Sequence, residues 1–119
     1  YGYRLSPFSS RVKMHEGLDI SVPPGSYIFS TGEGTVRSVE WDGAYGLTVE
    51  VEHSPRVFTR YAHLSKALVR KGEKVCRGEI LGLSGSTGRS TGPHLHYEVR
   101  IDGRSRNPLP YIRLIDRLY

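Results

Sequence analysis

Five histidines are spread along this chain, and two segments set them beside groups of matching chemistry. HEGLD places His15 and Asp19 four apart, and HLH places His94 and His96 two apart. Neutral imidazole and carboxylate are, thiolate aside, the usual ligands of first-row metals, so spacing must decide whether they share an ion. A fully extended chain would separate His15 from Asp19 by about 13 Å, too far for shared ligation. A helix would bring them to about 6 Å along its axis, but Gly17 interrupts the segment, and the following ISVPPG is strand-like and then breaks. A turn at Glu16-Gly17 remains. On a strand, His94 and His96 project from one face about 6 to 7 Å apart at Cα, so that one can bind metal while the other faces a substrate. Gly92-Pro93 lets the backbone approach closely and stiffens the entry to that strand. His63, in RYAHL, is a further exposed candidate, expected on the same strand face as Tyr61 and bordering a cleft with it.

The elements that must carry these residues read as strands. His94 to Ile101 alternates, with His94, His96, Glu98 and Arg100 on one face and Leu95, Tyr97, Val99 and Ile101 on the other. Leu47 to His53 also alternates, and Ser54-Pro55-Arg56 reverses the chain into an antiparallel partner from Val57 to Leu64. Gly34 to Trp41 is a β-branched strand ending in the turn-rich DGAYG. Residues 65–71 are expected to form one helical turn. Beyond them, glycines at 72, 78, 82, 85, 88 and 92 suit short strands with sharp corners. Asp102-Gly103 is a turn, and after Asn107-Pro108 the tail YIRLIDRLY suits a short amphipathic helix with Ile112, Ile115 and Leu118 or Tyr119 inward.

Composition agrees. Fourteen glycines and seven prolines in 119 residues point to an all-β domain with tight turns, and the length suits one core, a single domain over 1–119. No apolar run approaches the roughly 18 residues of a membrane-spanning helix. The lone Cys76 excludes an intrachain disulfide and a four-cysteine zinc finger, and is expected to fill a small space. The opening at Tyr1 reads as a mature chain or a piece excised from a longer protein. A net charge of +5 favours polyanions: nucleic acid, anionic lipid or an acidic cell wall.

Taken in order, HEGLDIS, EGTV, YGLTVEVEH, YAHL, KGEKVCRGEILGLSGSTGRSTGPHLHYEV and a final NP resemble the lysostaphin/LytM-type zinc metalloendopeptidases that cut bacterial cell-wall peptides. The likeness covers nearly the whole chain. HxxxD together with a distant HxH in a glycine-rich setting is specific, whereas either half alone is weak. The resemblance implies a compact antiparallel sheet domain with a groove on one sheet face. It implies one Zn2+ per domain held by His15, Asp19 and His96, with His63 and His94 as the catalytic pair. Three protein ligands leave a fourth position for water, as in catalytic zinc sites. The implied substrate is a peptidoglycan crosslink or stem peptide, in a periplasmic or extracellular envelope compartment, with envelope regulatory proteins as further partners. The YGYR opening resembles Gram-negative-type members and tilts the expected bond toward a D,D-crosslink.

Singly, these residues have plainer readings. His15 and Asp19 suit a loop histidine and a capping aspartate; His94 and His96 suit a solvated strand face; His63 suits a backbone-satisfied histidine. The ensemble reverses that weighting. His53 falls on the apolar face of its strand and is expected to be structural. Glu16 superficially copies the base of HExxH metalloproteases, but the required helix is missing. Tyr45, Tyr61 and Tyr97 are expected to pack, Arg89 and Ser90 to lie in a solvated loop, and Asn107 to cap or turn. Two alternatives stand beside the enzyme. One is a non-catalytic scaffold or regulator of wall hydrolases with the same fold, although such relatives typically lack ligands. The other is a basic β-barrel for nucleic acid, which leaves the histidine pattern unexplained.

Overall fold

The structure, a computed structural model, describes residues 10–13, 17–86 and 94–106. Along these the chain forms β1 (Ser10–Lys13), β2 (Gly17–Ser21), β3 (Tyr27–Phe29), β4 (Gly34–Trp41), β5 (Leu47–Ser54), β6 (Val57–Ala67), β7 (Lys74–Val75), β8 (Ile80–Ser84), β9 (His94–Ile101) and β10 (Arg104–Arg106). Helix is confined, among the described residues, to a 3-10 turn at Gly43–Tyr45. Every strand pairing is antiparallel. The order is β1-β2-β9-β6-β5-β4-β7, with β10 beside β9 and β3 beside β8. This is the all-β sheet domain that the alternation and turn chemistry predict.

Two short reversals set the register of the central strands. Ser54 pairs with Val57, so Pro55-Arg56 alone joins β5 to β6, with proline's fixed φ pre-set for a tight turn. Ile101 pairs with Arg104, and the intervening Asp102 (φ 56°) and Gly103 (φ 76°) both lie in the left-handed region. That is the backbone of a two-residue hairpin turn, matched to strand twist and suited to Asp-Gly. Arg56 donates two hydrogen bonds of 2.6 Å to the Asp102 carboxylate, tying the two turns together.

One face of the sheet is the core. Leu18 and Ile20 of β2, Leu95, Tyr97 and Val99 of β9, Tyr61 of β6, and Val49 and Val51 of β5 are buried there with Ile28 and Leu81. Each fully buried side chain of this size contributes about 1.5–3 kcal/mol. A hydrogen-bonded polar chain threads the same face. The Tyr61 hydroxyl meets the Thr59 hydroxyl at 2.8 Å and the Thr31 hydroxyl at 3.1 Å, and Thr31 meets the Tyr97 hydroxyl at 2.9 Å. His53 closes it as a structural residue. Its Nδ1 donates to the Glu33 carbonyl at 2.8 Å, which leaves Nε2, 2.6 Å from the Thr59 hydroxyl, as the acceptor in the neutral ring.

β6 has two successive neighbours on one edge. Val57 through Ala62 pair with β9, whereas Leu64 through Ala67 pair with β8. The helical turn predicted for 65–71 therefore does not form: β8 supplies a ladder partner to Ala67, and Leu68 N–H donates to the Leu81 carbonyl just beyond it. Cys76 also departs from expectation, being exposed rather than filling a space. Arg89, Ser90, Gly92-Pro93, Glu16, Asn107 and the predicted tail helix lie outside the described residues.

β2 can lie against β9 only because residue 17 is glycine. Its φ is +110°, and a Cβ there would stand 2.3 Å from the Tyr97 carbonyl oxygen. Gly17→Ala is expected to lower stability by about 2 kcal/mol or more through left-handed strain plus a backbone clash. Urea unfolding checks this; an unchanged midpoint would contradict the close approach.

Candidate active site

The register of β2 against β9 sets Asp19 opposite His96 and Ser21 opposite His94. Leu18 and Ile20 point into the core, so Asp19 projects from the other face, which it shares with His94, His96, Glu98 and Arg100. The Asp19 Oδ1 atom lies 2.7 Å from His96 Nδ1 and 4.0 Å from His94 Nε2. The His63 ring stands edge-on to both, its centroid 5.0 Å from that of His94 and 6.1 Å from that of His96. Four of the five residues expected at a site, Asp19, His63, His94 and His96, are thus one cluster. His15 lies outside the described residues.

His63 reaches this cluster by a route that strand alternation does not predict. Tyr61 opposes Tyr97 on the core face and Ala62 opposes His96 on the site face. Unbroken alternation would return His63 to the core beside Tyr61. Instead, Val49 pairs with Tyr61 but Leu47 pairs with Leu64, a register shift that inserts one residue into β6. His63 sits at that bulge with φ 61°, and Leu64 resumes the core side, fully buried. Bulges re-aim side chains in this way next to functional sites. The predicted Tyr61–His63 cleft pair is therefore corrected: Tyr61 is wholly buried on the opposite face, and His63 is 6% exposed rather than an exposed rim residue.

The His96 ring is held on every side. Nε2 lies 2.8 Å from Glu98 Oε2, and Glu98 Oε1 accepts from Arg100 Nε at 2.9 Å. Tyr45, delivered by the 3-10 turn between β4 and β5, stacks on the imidazole at 5.2 Å and 29°. Arg60 lies over the outer face of Tyr45 at 5.0 Å and pairs with Asp42 and Glu50. Glu98, Arg100, Tyr45 and Arg60 were not among the predicted site residues. Glu98 and Arg100 carried a signal, the period-two run HxHxExR on one strand face. Tyr45, expected only to pack, and Arg60 carried none, because a loop and a neighbouring strand deliver them.

Electrostatics follow from these contacts. Burial by itself disfavours the charged His96 ring, but hydrogen bonds to Asp19 and Glu98, with the charges of both, outweigh it and raise the pKa from 6.5 to about 9. Glu98 is the converse: burial opposes its charge, but hydrogen bonds from His96 and Arg100 prevail and lower it to about 2. Tyr45 is raised by burial and by the neighbouring Glu98 carboxylate.

Asp19, His63, His94 and His96 thus share one face of an antiparallel sheet, in keeping with the sheet-face groove that the lysostaphin/LytM resemblance implies. The chain belongs to Peptidase family M23, whose family model matches residues 13–108. It is 46% identical over 106 residues to the peptidoglycan DD-endopeptidase ShyA of Vibrio cholerae, covering 89% of this chain and 25% of that protein. A solved zinc-containing peptidase from Vibrio cholerae is similar with a TM-score of 0.75 at 44% identity, over 78% of this chain and 29% of that one. The catalytic domain of the antimicrobial peptidase lysostaphin from Staphylococcus simulans gives 0.79 at 30% identity, over 94% and 90% of the two chains. The chain spans about a quarter of the length of the curated relatives it matches.

The donor chemistry fits a zinc ion. Asp19 Oδ1 and His96 Nδ1 are an oxygen and a nitrogen of zinc-binding type facing each other across 2.7 Å, and each would turn to a shared cation once the proton between them is lost. Among the described residues no three His, Cys, Asp or Glu side chains gather to hold an ion, and His15, the third expected ligand, lies outside them.

The raised His96 pKa has a sign that can be tested in chelator-treated protein. The folded state holds a proton that the unfolded chain releases near pH 6.5. The stabilisation is complete below that pH and is lost as pH rises through about 9. Thermal melts are expected to move to lower Tm between pH 6.5 and 9; a Tm that rises across that window contradicts the doubly hydrogen-bonded imidazolium.

Proposed function

We propose that this chain is the catalytic domain of a zinc-dependent endopeptidase that hydrolyses peptide crosslinks or stem peptides of bacterial peptidoglycan. The observation that carries the reading is the gathering of Asp19, His63, His94 and His96 on one sheet face of an M23 domain. Several curated relatives, ShyA and ShyC of Vibrio cholerae among them, are named peptidoglycan DD-endopeptidases, which supports a D,D-crosslink as the bond and disfavours a non-catalytic scaffold. The location is the bacterial envelope, periplasmic or extracellular, with envelope regulatory proteins as further partners. Among the described residues no helix is long and apolar enough to cross a membrane.

His15, Asp19 and His96 would hold one zinc ion. Bound there, zinc would supply Lewis acidity to acidify a water molecule and polarise a scissile carbonyl. His63 and His94, edge to face at 5.0 Å, orient the attacking water, carry its proton and donate to the developing oxyanion. The bulge, one residue inserted into β6, aims His63 at the reacting side of the sheet. Burial keeps the imidazole from swinging into solvent.

The test is digestion of purified peptidoglycan, with released muropeptides read by mass, before and after chelation and zinc add-back. Chelator-sensitive, zinc-restored loss of crosslinked species is expected. Asp19→Ala and His96→Ala should lose both bound zinc and cleavage. His63→Ala and His94→Ala should keep zinc while losing about 10²–10⁴-fold in rate. Full activity in Asp19→Ala or His96→Ala would refute the assignment.

A further inference from the structure

We infer that Glu98 is a positioning residue that sets the tautomer of His96. It holds the proton on Nε2 so that Nδ1 presents its lone pair on the Asp19 side. This rests on the zinc-site reading above and deepens it.

Three observations carry the inference. Glu98 is 1% exposed, yet it is a carboxylate, and such a group is retained in an interior only when its acceptors are used. Its two oxygens are divided: Oε2 faces His96 Nε2 at 2.8 Å and Oε1 takes the Arg100 Nε–H at 2.9 Å. Arg100 thus balances the charge and fixes the carboxylate plane, leaving the other oxygen aimed at the ring. A deprotonated carboxylate can only accept, so Glu98 requires a hydrogen on Nε2 and Asp19 one on Nδ1; were a cation to take the place of the Nδ1 proton, the Nε2 hydrogen held by Glu98 would stay and leave the lone pair on Nδ1. Nδ1 is also the atom facing Asp19. Tyr45 stacks on the ring face at 5.2 Å and hinders the flip that would put ring carbons where the two nitrogens now face Asp19 and Glu98. A ligating histidine whose other nitrogen donates to a carboxylate is more basic and correctly oriented, and loss of such a partner costs about 10–100-fold in metal affinity.

The test uses the chain itself with Zn2+ and a chromophoric competing chelator. Glu98→Gln keeps the volume but replaces a charged acceptor by a neutral amide. It is expected to bind Zn2+ about 10–100-fold more weakly than wild type. Peptidoglycan cleavage should fall at limiting zinc and recover toward wild type at saturating zinc, which a loss of folded protein would not do. A second measurement needs no variant: nitrogen-15 NMR of the zinc-loaded wild type should show His96 protonated at Nε2 and metal-shifted at Nδ1. Zn2+ affinity of Glu98→Gln within twofold of wild type, or a wild-type His96 protonated at Nδ1, overturns the inference while leaving the endopeptidase reading intact. A wild type that neither retains zinc nor cleaves peptidoglycan overturns both.

Discussion

Strand β6 cannot pair with β9 along its whole length, and the site is organised around the point where that pairing stops. Ala62 is the last residue opposite β9 and Leu64 the first opposite β8, so His63 belongs to neither ladder on that edge. A residue at such a junction can take a backbone conformation that a continuous ladder forbids, and His63 takes φ 61°. For a residue other than glycine this costs of the order of 1–3 kcal/mol. The surrounding structure holds it there because Tyr61 and Leu64, on either side, are both completely buried on the core face. Straightening the bulge would expel one of them.

The same junction places three imidazoles together without a helix or a long loop. β9 contributes His94 and His96 by simple alternation, β2 brings Asp19 by register, and β6 adds His63 by irregularity. Positions built on paired strands are more rigid than positions on loops, which suits chemistry that tolerates little displacement. The core beneath is both apolar and hydrogen-bonded. The chain from His53 through Thr59, Tyr61 and Thr31 to Tyr97 links β5, β6 and β9 directly under the histidines, so the strands that carry them are tied by directional bonds as well as by packing.

On the outer face, charge alternates along one line: Asp19, His96, Glu98, Arg100. Each member is adjacent to a partner of opposite sign, so the buried Glu98 and His96 keep their charges despite desolvation. Tyr45 and Arg60 cover the line from the side with a stacked ring and a cation. A polar surface of this kind is self-compensating: Asp19, His94 and Arg100 are partly exposed, whereas His96 and Glu98 are buried.

Much of this was legible from the sequence. Alternation from His94 to Ile101 assigned both faces of β9 correctly, because the strand is buried against a core on one side and a distinct polar layer on the other. Asp-Gly at 102–103 specified its turn through the backbone conformation that only such residues adopt cheaply. The joint occurrence of HxxxD and HxH named the residues to watch, and Asp19, His94 and His96 do lie together. Three features were not local properties and could not be read. Residues 65–67 extend β6 because β8, distant in sequence, supplies hydrogen bonds there. His63 changes face because two strands compete for one edge. Tyr45 covers His96 because a turn between β4 and β5 folds over β9. Residue types and periodicity determined which side chains could do chemistry and which strands carried them. Long-range pairing decided where the periodicity breaks, because a bulge costs free energy locally and is held only by the strands around it.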